Sequence, residues 1–180
     1  MIQKINRKIL LIVFFAIILS IYSCNNHDQK YEYFDYKGNR ISEIEFRLRG
    51  ENGIVKVYYM GENGVKFVDE FEYKNKKKHG KWISWNESED YKNKEGVYKN
   101  GLKHGKEIWW YKNGQKLAEM GYKNDKLDGK WLGYYDNGKK FMEESYKDGE
   151  KHGKSICWDD SGAVLSEEIY NEGKLVKKIK

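Results

Sequence analysis

The chain has 180 residues, of which 39% are hydrophobic, 34% charged and 16% aromatic, with 18 Gly, no Pro and two Cys. These fractions exclude a polytopic membrane protein, a disordered tail, a collagen-like chain and a disulfide-stapled scaffold. The formal net charge is +6, and the abundance of aromatic residues punctuated by Gly indicates β-structure.

The N-terminal segment, from Met1 to Cys24, has the layout of an export signal. Three basic residues precede an apolar run over residues 9–21, which is short for a membrane-spanning helix. The run ends in Ile21-Tyr22-Ser23-Cys24, which resembles a bacterial lipobox, although Tyr22 departs from the small residue usual there. We therefore predict a signal peptide over 1–23 and a lipidated Cys24 followed by a tether to residue 30. Ordinary signal cleavage and an uncleaved anchor stay open as alternatives, and each places the rest outside the cytoplasm.

The basic charge is concentrated in this signal. Removing residues 1–23 takes away three basic side chains and no acidic one, so the formal charge falls from +6 to +3. A small, dispersed charge does not favour a nucleic acid as partner. With Cys24 lipidated, only Cys157 is left, so the exported part must fold without an internal disulfide.

The remainder of the chain repeats with a period of about 24 residues, which is typical of a repeat architecture. Successive tyrosines from Tyr73 to Tyr170 keep this spacing to within one position, and a Gly and then an aromatic residue follow each of the first four at fixed distances. The residues that define the repeat are Tyr73, Gly80, Trp85, Tyr98, Gly105, Trp110, Tyr122, Gly129, Tyr134, Tyr146, Gly153 and Trp158.

Turn residues divide each unit into two strands. Asn113-Gly114 and its equivalents predict a type I′ turn, and a second turn, such as Asn100-Gly101, lies between each Tyr and its Gly. Each unit is therefore predicted to be a β-hairpin with strands of about six residues. Asn75-Lys76 and Ser88-Glu89 lack the turn Gly, which predicts looser turns in the first clear unit. We expect about five to six hairpins: a degenerate set over 31–70 that acts as a cap, and a regular array over 71–180 with a truncated last unit.

Alternation along the strands assigns side chains to two faces. Ile108 and Trp110 share one face with large apolar residues in every unit, so this face is expected to line the core. The other face varies between units and carries aromatic residues, which makes it the predicted partner-binding surface. Its candidate residues are Trp82, Trp109, Tyr111, Trp131 and Tyr135. The alternative is that this face packs on itself as the sheet curls.

The repeat resembles a known family. Tyr98-Lys99-Asn100-Gly101, His104-Gly105-Lys106, Trp110 and Asn113-Gly114 together resemble the bacterial MORN-repeat variant found in YwqK-type antitoxins. The resemblance covers residues 71–173 well and 31–70 weakly. It implies an all-β fold of tandem hairpins that form an elongated, curled antiparallel sheet. It also implies a role in protein binding, membrane association or toxin neutralisation.

Residue groups that could carry chemistry have simpler explanations. His79, His104 and His152 share one repeat position, but neighbouring units place them roughly 9–10 Å apart, too far to share a metal ion. They fit a turn, because His tolerates positive φ. Cys157 and His152 have no activating third group, so they are not predicted to act as a nucleophile and its base. The acidic pairs 143–144 and 167–168 cannot act as general acid and base together, because adjacent strand residues point to opposite faces. We predict no catalytic residue, no metal site and no cofactor.

These observations predict a non-enzymatic, exported and lipid-anchored binding protein of the cell envelope. Its partner is expected to be another protein, either a toxin or an envelope protein, with the membrane reached through the N-terminal lipid and no contact with nucleic acid. The alternative is a structural envelope component that associates with itself or with the membrane.

Overall fold

The structure, a computed structural model, describes residues 29–61, 64–86 and 91–180. The predicted signal peptide and Cys24 lie outside these residues. Within them, no helix has the length and hydrophobicity needed to cross a bilayer.

The described residues form fourteen strands and one short helix. Their bounds are β1 Gln29–Phe34, β2 Arg40–Ile41, α1 Glu43–Leu48, β3 Gly53–Gly61, β4 Gly64–Lys74, β5 Lys77–Trp85, β6 Lys92–Lys99, β7 Leu102–Lys103, β8 Gly105–Trp110, β9 Lys116–Lys123, β10 Lys126–Tyr134, β11 Lys140–Lys147, β12 Glu150–Trp158, β13 Val164–Asn171 and β14 Lys174–Lys178.

All fourteen strands belong to a single antiparallel sheet. From β3 to β14 they lie in chain order, β7 extends the β8 side of β6, and β1 and β2 complete the other end. Each repeat contributes two neighbouring strands, so the period of the sequence becomes a translation along the sheet. The predicted all-β fold, a curled sheet of tandem hairpins, is confirmed.

The turn between each repeat Tyr and its Gly is the type I′ turn. Asn100 and Gly101 have φ of 54° and 90°, the two positive values that this turn requires. Asn75 and Lys76 have the same conformation at 51° and 66°, so the looser turn predicted there is wrong, whereas Ser88-Glu89 lies outside the described residues. Successive turns are also stacked: the Gly101 N–H donates to the Lys78 carbonyl of the preceding hairpin. This contact helps to hold each turn in place.

The Asn-Gly loops have a different geometry from the one predicted. In the loop at 111–115 only Gly114 has positive φ, the Gly114 N–H donates to the Tyr111 carbonyl, and the Tyr111 N–H donates to the Gln115 carbonyl. This is a type I turn followed by a left-handed Gly, which is the common three-residue hairpin loop. The type I′ prediction is therefore wrong here, because Asn-Gly is compatible with both loops.

The repeat Gly lies in a bulge within the second strand of each hairpin. Gly80 has a φ of 95°, and the pairing shifts there, with Phe71 opposite Trp82 but Tyr73 opposite Lys78. The preceding His79 is not among the positive-φ residues, so the turn role predicted for the histidines is wrong. Its Nδ1 instead accepts the N–H of Asn100, 3.3 Å away in the next turn. The bulge lets β5 run as one strand through the predicted loop.

A short helix at the N-terminal end was not predicted. Ser42 caps α1 by accepting the Glu45 N–H, and the buried Phe46 packs against Tyr33 and Tyr73 at ring-centroid distances of 5.0 and 6.1 Å. Burial raises the pKa of Tyr33 to about 12. The helix therefore covers one face of the sheet at its N-terminal end.

The two faces of the sheet are buried to different extents. The buried residues that point out of the strands all share one face, which we call the inner face: Val55, Val57, Trp82, Glu107, Ala118, Met120, Glu144 and Ser155. The opposite or outer face carries Ile83, Ile108, Leu132 and Ile156, none of which is fully buried. The prediction that the face with Ile108 lines the core is therefore wrong.

Candidate functional site

A row of tyrosines runs along one edge of the inner face. These are the repeat residues Tyr73, Tyr98, Tyr122, Tyr146 and Tyr170, and burial is the main cause of the raised pKa of the first four. Lysines lie over these rings. The Lys78 ammonium is 3.4 Å from the centre of the Phe71 ring and 5.4 Å from that of Tyr98. Such cation–π contacts stabilise the packing of the rings along this edge of the inner face.

Glu107 lies at the centre of the inner face and is 3% exposed. Its carboxylate accepts from the Lys103 ammonium at 2.6 Å and from the Trp109 indole N–H at 2.7 Å. Burial would lower the pKa of Lys103, but the contacts with Glu107 raise it above its ordinary value. The buried charge is therefore compensated within the repeat.

Glu144 occupies the same face on β11 and is 5% exposed. It accepts hydrogen bonds from the Lys151 ammonium, the Tyr146 hydroxyl at 2.6 Å and the Ser155 hydroxyl at 3.2 Å. Burial would raise the pKa of Glu144, but these bonds outweigh it and hold the pKa below its ordinary value. Like Glu107, this carboxylate is already occupied by neighbouring side chains.

The aromatic residues predicted to bind a partner are on the inner face and are partly used there. Trp82 is 8% exposed, lies 6.2 Å from the Tyr98 ring, and covers Gly96, whose hypothetical Cβ would meet the indole at 2.6 Å. Trp131 is half-buried against Tyr146, with ring centres 6.0 Å apart. Trp82 thus offers almost no surface, and a binding role for the others stays a prediction.

The two tyrosines of that set connect neighbouring hairpins. The Tyr111 hydroxyl donates to the Tyr134 carbonyl at 2.8 Å, and the Tyr135 hydroxyl donates to the Trp158 carbonyl at 3.0 Å. Each bond spans 23 residues, so each hydroxyl joins one repeat to the next. This role was not predicted from the sequence, although both residues stand directly before a turn.

Tyr135→Phe tests that connection. Losing one hydroxyl donor is expected to lower the free energy of unfolding by about 1 kcal/mol, because the Trp158 carbonyl loses its partner while the ring packing against Phe141 stays. Urea unfolding followed by circular dichroism measures the change. Tyr134→Phe is the control for removing a hydroxyl, because the Tyr134 hydroxyl donates no hydrogen bond to another residue that the structure describes. Equal stabilities for Tyr135→Phe and wild type would contradict the proposed connection.

The outer face combines aliphatic residues with glutamates in a fixed register. Ile108 is paired with Glu95 and Glu119, and Leu132 with Glu119 and Glu143, so the two residue types alternate across the strands. The row continues through Ile156 to Glu167. This arrangement creates a half-exposed surface with both apolar and acidic character.

Lysines hold the outer-face glutamates in place. Glu119 accepts from Lys106 at 2.5 Å and from Lys116 at 2.8 Å, and Glu143 has the equivalent partners Lys130 and Lys140. These hydrogen bonds hold the pKa of both glutamates below the ordinary value. Sequence reasoning missed the pairs, although these glutamates and lysines recur visibly at the spacing of the repeat.

The repeat aromatics form a second row on the outer face. Trp110 is paired with Lys116 and Tyr134 with Lys140, and the Lys92 ammonium lies 4.1 Å from the centre of the Trp110 ring. These rings are half-buried rather than enclosed. The outer face therefore presents aromatic, aliphatic and cationic groups together.

The residues with potential for catalysis do not converge. Within 29–61, 64–86 and 91–180, no group of three or more His, Cys, Asp or Glu is arranged to hold a metal ion. Cys157 is a half-buried free thiol on the inner face, paired across the strands with Met142 and Ser166. Glu143 and Glu144 point to opposite faces, as predicted from their adjacency.

The comparisons with known proteins agree with this geometry. Residues 103–124 and 127–148 match the family model of the MORN repeat variant, each match covering one repeat. The comparison with curated proteins finds no similar sequence. Two of the repeats thus match the MORN repeat variant, and MORN repeats are commonly involved in binding proteins or membranes.

Proposed function

We propose that this MORN-repeat chain is a non-enzymatic binding protein whose ligand is another protein. The observation that carries the proposal is the outer face, where half-exposed aliphatic and aromatic side chains lie among fixed charges over several repeats. Surfaces of this kind, with apolar anchors inside a polar surround, are typical of protein interfaces. On the inner face, the buried carboxylates of Glu107 and Glu144 already accept hydrogen bonds from neighbouring side chains, so they are less accessible to a ligand.

The proposed cellular setting is the outer side of the membrane. The signal-like segment and the lipobox-like Cys24 support export and lipid anchoring, and the residues between Cys24 and the start of β1 at Gln29 would form the tether. The resemblance to antitoxin-type repeat proteins supports neutralisation of a toxin, and attachment to an envelope protein is the related possibility. Neither role requires a catalytic group or a cofactor.

Site-specific photo-crosslinking in the native cell tests the function. A photoreactive residue would replace Leu132 on the outer face, Trp131 on the inner face, or, as control, Lys123, the exposed last residue of β9. We expect a discrete adduct with a second protein species from position 132 and none from 123. Absence of a heterologous adduct from both 131 and 132 would contradict the proposal.

Self-association is the second candidate function. β14 pairs only with β13 among the described residues, and Leu175 and Val176 on it are 51% and 64% exposed. An exposed edge strand with apolar side chains can pair with another chain. Light scattering of the signal-free protein distinguishes the candidates, since a strict monomer would count against a self-assembling component.

Lipid anchoring has its own test. Cys24→Ser is expected to abolish incorporation of a fatty-acid analogue and to release the protein from the membrane fraction, because the thiol is the predicted attachment point. Cys157→Ser is the matched control at the second cysteine and should leave both readouts unchanged. Labelling that persists in Cys24→Ser would contradict lipidation there.

A further inference from the structure

A hollow of about 200 Å³ opens on the outer face where β5, β6 and β8 lie side by side. Its apolar lining comes from Ile83, Val97 and Ile108, one from each strand, and Val97 is 38% exposed. Lys81, Glu95 and Lys106 stand around it. The hollow has room for one aliphatic side chain rather than a whole small molecule.

The apolar lining is greater here than in the next two repeats. Val97 is paired with Lys81, whereas the equivalent partners of Lys106 and Lys130 are Gly121 and Ser145. A valine in this place adds an exposed hydrophobic side chain to the row of Ile83 and Ile108. The other aliphatic residue at this position is Ile169, which is paired with Lys154, so the valine distinguishes the hollow from the two middle repeats.

The charge at the hollow also departs from the repeat. Lys106, Lys130 and Lys154 each pair with the glutamate at the equivalent position of the following strand, at 2.5, 2.5 and 3.0 Å. Their equivalent, Lys81, is exposed and has no ion-pair partner among the residues that the structure describes, while Glu95 pairs with Lys92 at 3.0 Å. Within the described part of the chain, an ammonium without an ion-pair partner thus stands beside an exposed aliphatic surface.

We propose that this hollow seats an aliphatic side chain of a partner protein, with a carboxylate next to it in the partner's sequence pairing with Lys81. The proposal rests on the proposed protein-binding function and names the chemistry of the recognised segment. Burial of the aliphatic group supplies affinity, and the Lys81 charge selects an acidic over a basic neighbour.

An anionic membrane fits this face less well than a protein segment does. Glu95, Glu119 and Glu143 lie in the same outer-face row and would be brought against the lipid phosphates. A single recess beside the Lys81 ammonium matches a side chain more closely than a flat charged surface. Membrane binding through these residues is therefore an outcome that would overturn the proposal.

Selection from a random peptide library displayed on phage tests the recognition. The signal-free full array is the bait, in wild-type form and as Lys81→Glu and Val97→Asp. We expect peptides with an aliphatic residue beside Asp or Glu to be enriched on wild type. Affinity of a synthetic enriched peptide should fall about threefold in Lys81→Glu and at least about tenfold in Val97→Asp, which places a carboxylate in the apolar lining.

Lys130→Glu is the matched control, because Lys130 has the same repeat position but is paired with Glu143. It should leave peptide affinity within a factor of about two. Circular dichroism melting curves establish that each variant is folded. Ile83→Ala serves in place of Val97→Asp if that variant unfolds.

The outcomes separate the docking site from the wider function. Enriched peptides that bind Lys81→Glu and Val97→Asp as well as wild type would overturn the site and leave protein binding standing. Enrichment without an acidic-aliphatic motif, or none at all, would also overturn the site, while the crosslinking experiment decides the function independently. Loss of binding to phosphatidylglycerol vesicles in Lys81→Glu, without an effect on peptides, would replace the protein segment by a lipid surface.

Discussion

Gly121→Ala is expected to lower the free energy of unfolding by about 3 kcal/mol, the upper part of the range for overpacking. A Cβ at Gly121 would lie 2.3 Å from the Asp128 carbonyl oxygen and 3.4 Å from its carbon. Because the obstacle is backbone in the Gly129 bulge, it cannot rotate away as a side chain would. The strand containing Asp128 must shift, which disturbs the contact between β9 and β10.

The matched control is Ser145→Ala, at the equivalent position of the next repeat. Ser145 already has a Cβ at this position, so the backbone of its repeat accommodates one. Removing the hydroxyl should change stability by less than about 0.5 kcal/mol. Urea unfolding followed by circular dichroism and Trp fluorescence measures both variants. If Gly121→Ala proved as stable as Ser145→Ala, the Asp128 carbonyl could not lie as close to Gly121 as the structure places it.

The hairpin array could be predicted because its signals are local. The regularly recurring Tyr and the turn pairs such as Asn100-Gly101 specify where strands begin and end without knowledge of distant contacts. The turn at Asn75-Lys76 shows the limit of this information. There the backbone adopts φ of 51° and 66° without a Gly, in the same register as the glycine-bearing turns.

The assignment of faces failed because alternation does not specify curvature. Ile108 and Glu107 are neighbours on opposite faces, and hydrophobicity alone places the isoleucine inside. The sheet instead buries Glu107, whose charge is met by Lys103 on the preceding strand and by the Trp109 indole. Which face becomes the inner one depends on the twist and bulges of the whole sheet, and no single repeat contains that information.

Part of the candidate site was nevertheless present in the sequence. The outer-face pair of Lys106 and Glu119 recurs once in each of the next two repeats, so a cross-strand ion pair could have been inferred from the predicted register. The helix at Glu43–Leu48 had a signal as well, in the Ser42 cap and the first-turn acidic residues. Its buried Phe46, in contrast, packs on Tyr33 and Tyr73, contacts that depend on the tertiary fold.

Glu144→Ala is expected to lower the free energy of unfolding by about 3 kcal/mol at neutral pH, because breaking a buried charged pair from one side costs roughly 3–5 kcal/mol. The substitution leaves the Tyr146 and Ser155 hydroxyls and the Lys151 ammonium without their buried acceptor. The lower end of the range applies because the Lys151 side chain is 34% exposed and can regain water.

The pH dependence of this effect follows from the lowered pKa of Glu144. A carboxyl whose pKa is lower in the folded than in the unfolded state contributes its stability above the unfolded value, here 4.5, and loses it as the pH falls through the folded value. The stability difference between wild type and Glu144→Ala should therefore be constant near neutrality and shrink below about pH 4.5. Urea titrations at a series of pH values measure it.

Glu143→Ala is the control on the same strand, because Glu143 faces outward and its partners Lys130 and Lys140 are 63% and 44% exposed. Its loss should cost no more than about 1 kcal/mol and should diminish in high salt, since exposed ion pairs are screened. The cost of Glu144→Ala should change little with salt, because the carboxylate is buried. Equal costs and equal salt dependence for the two variants would show that Glu144 is not the enclosed, hydrogen-bonded group on which the inner face depends.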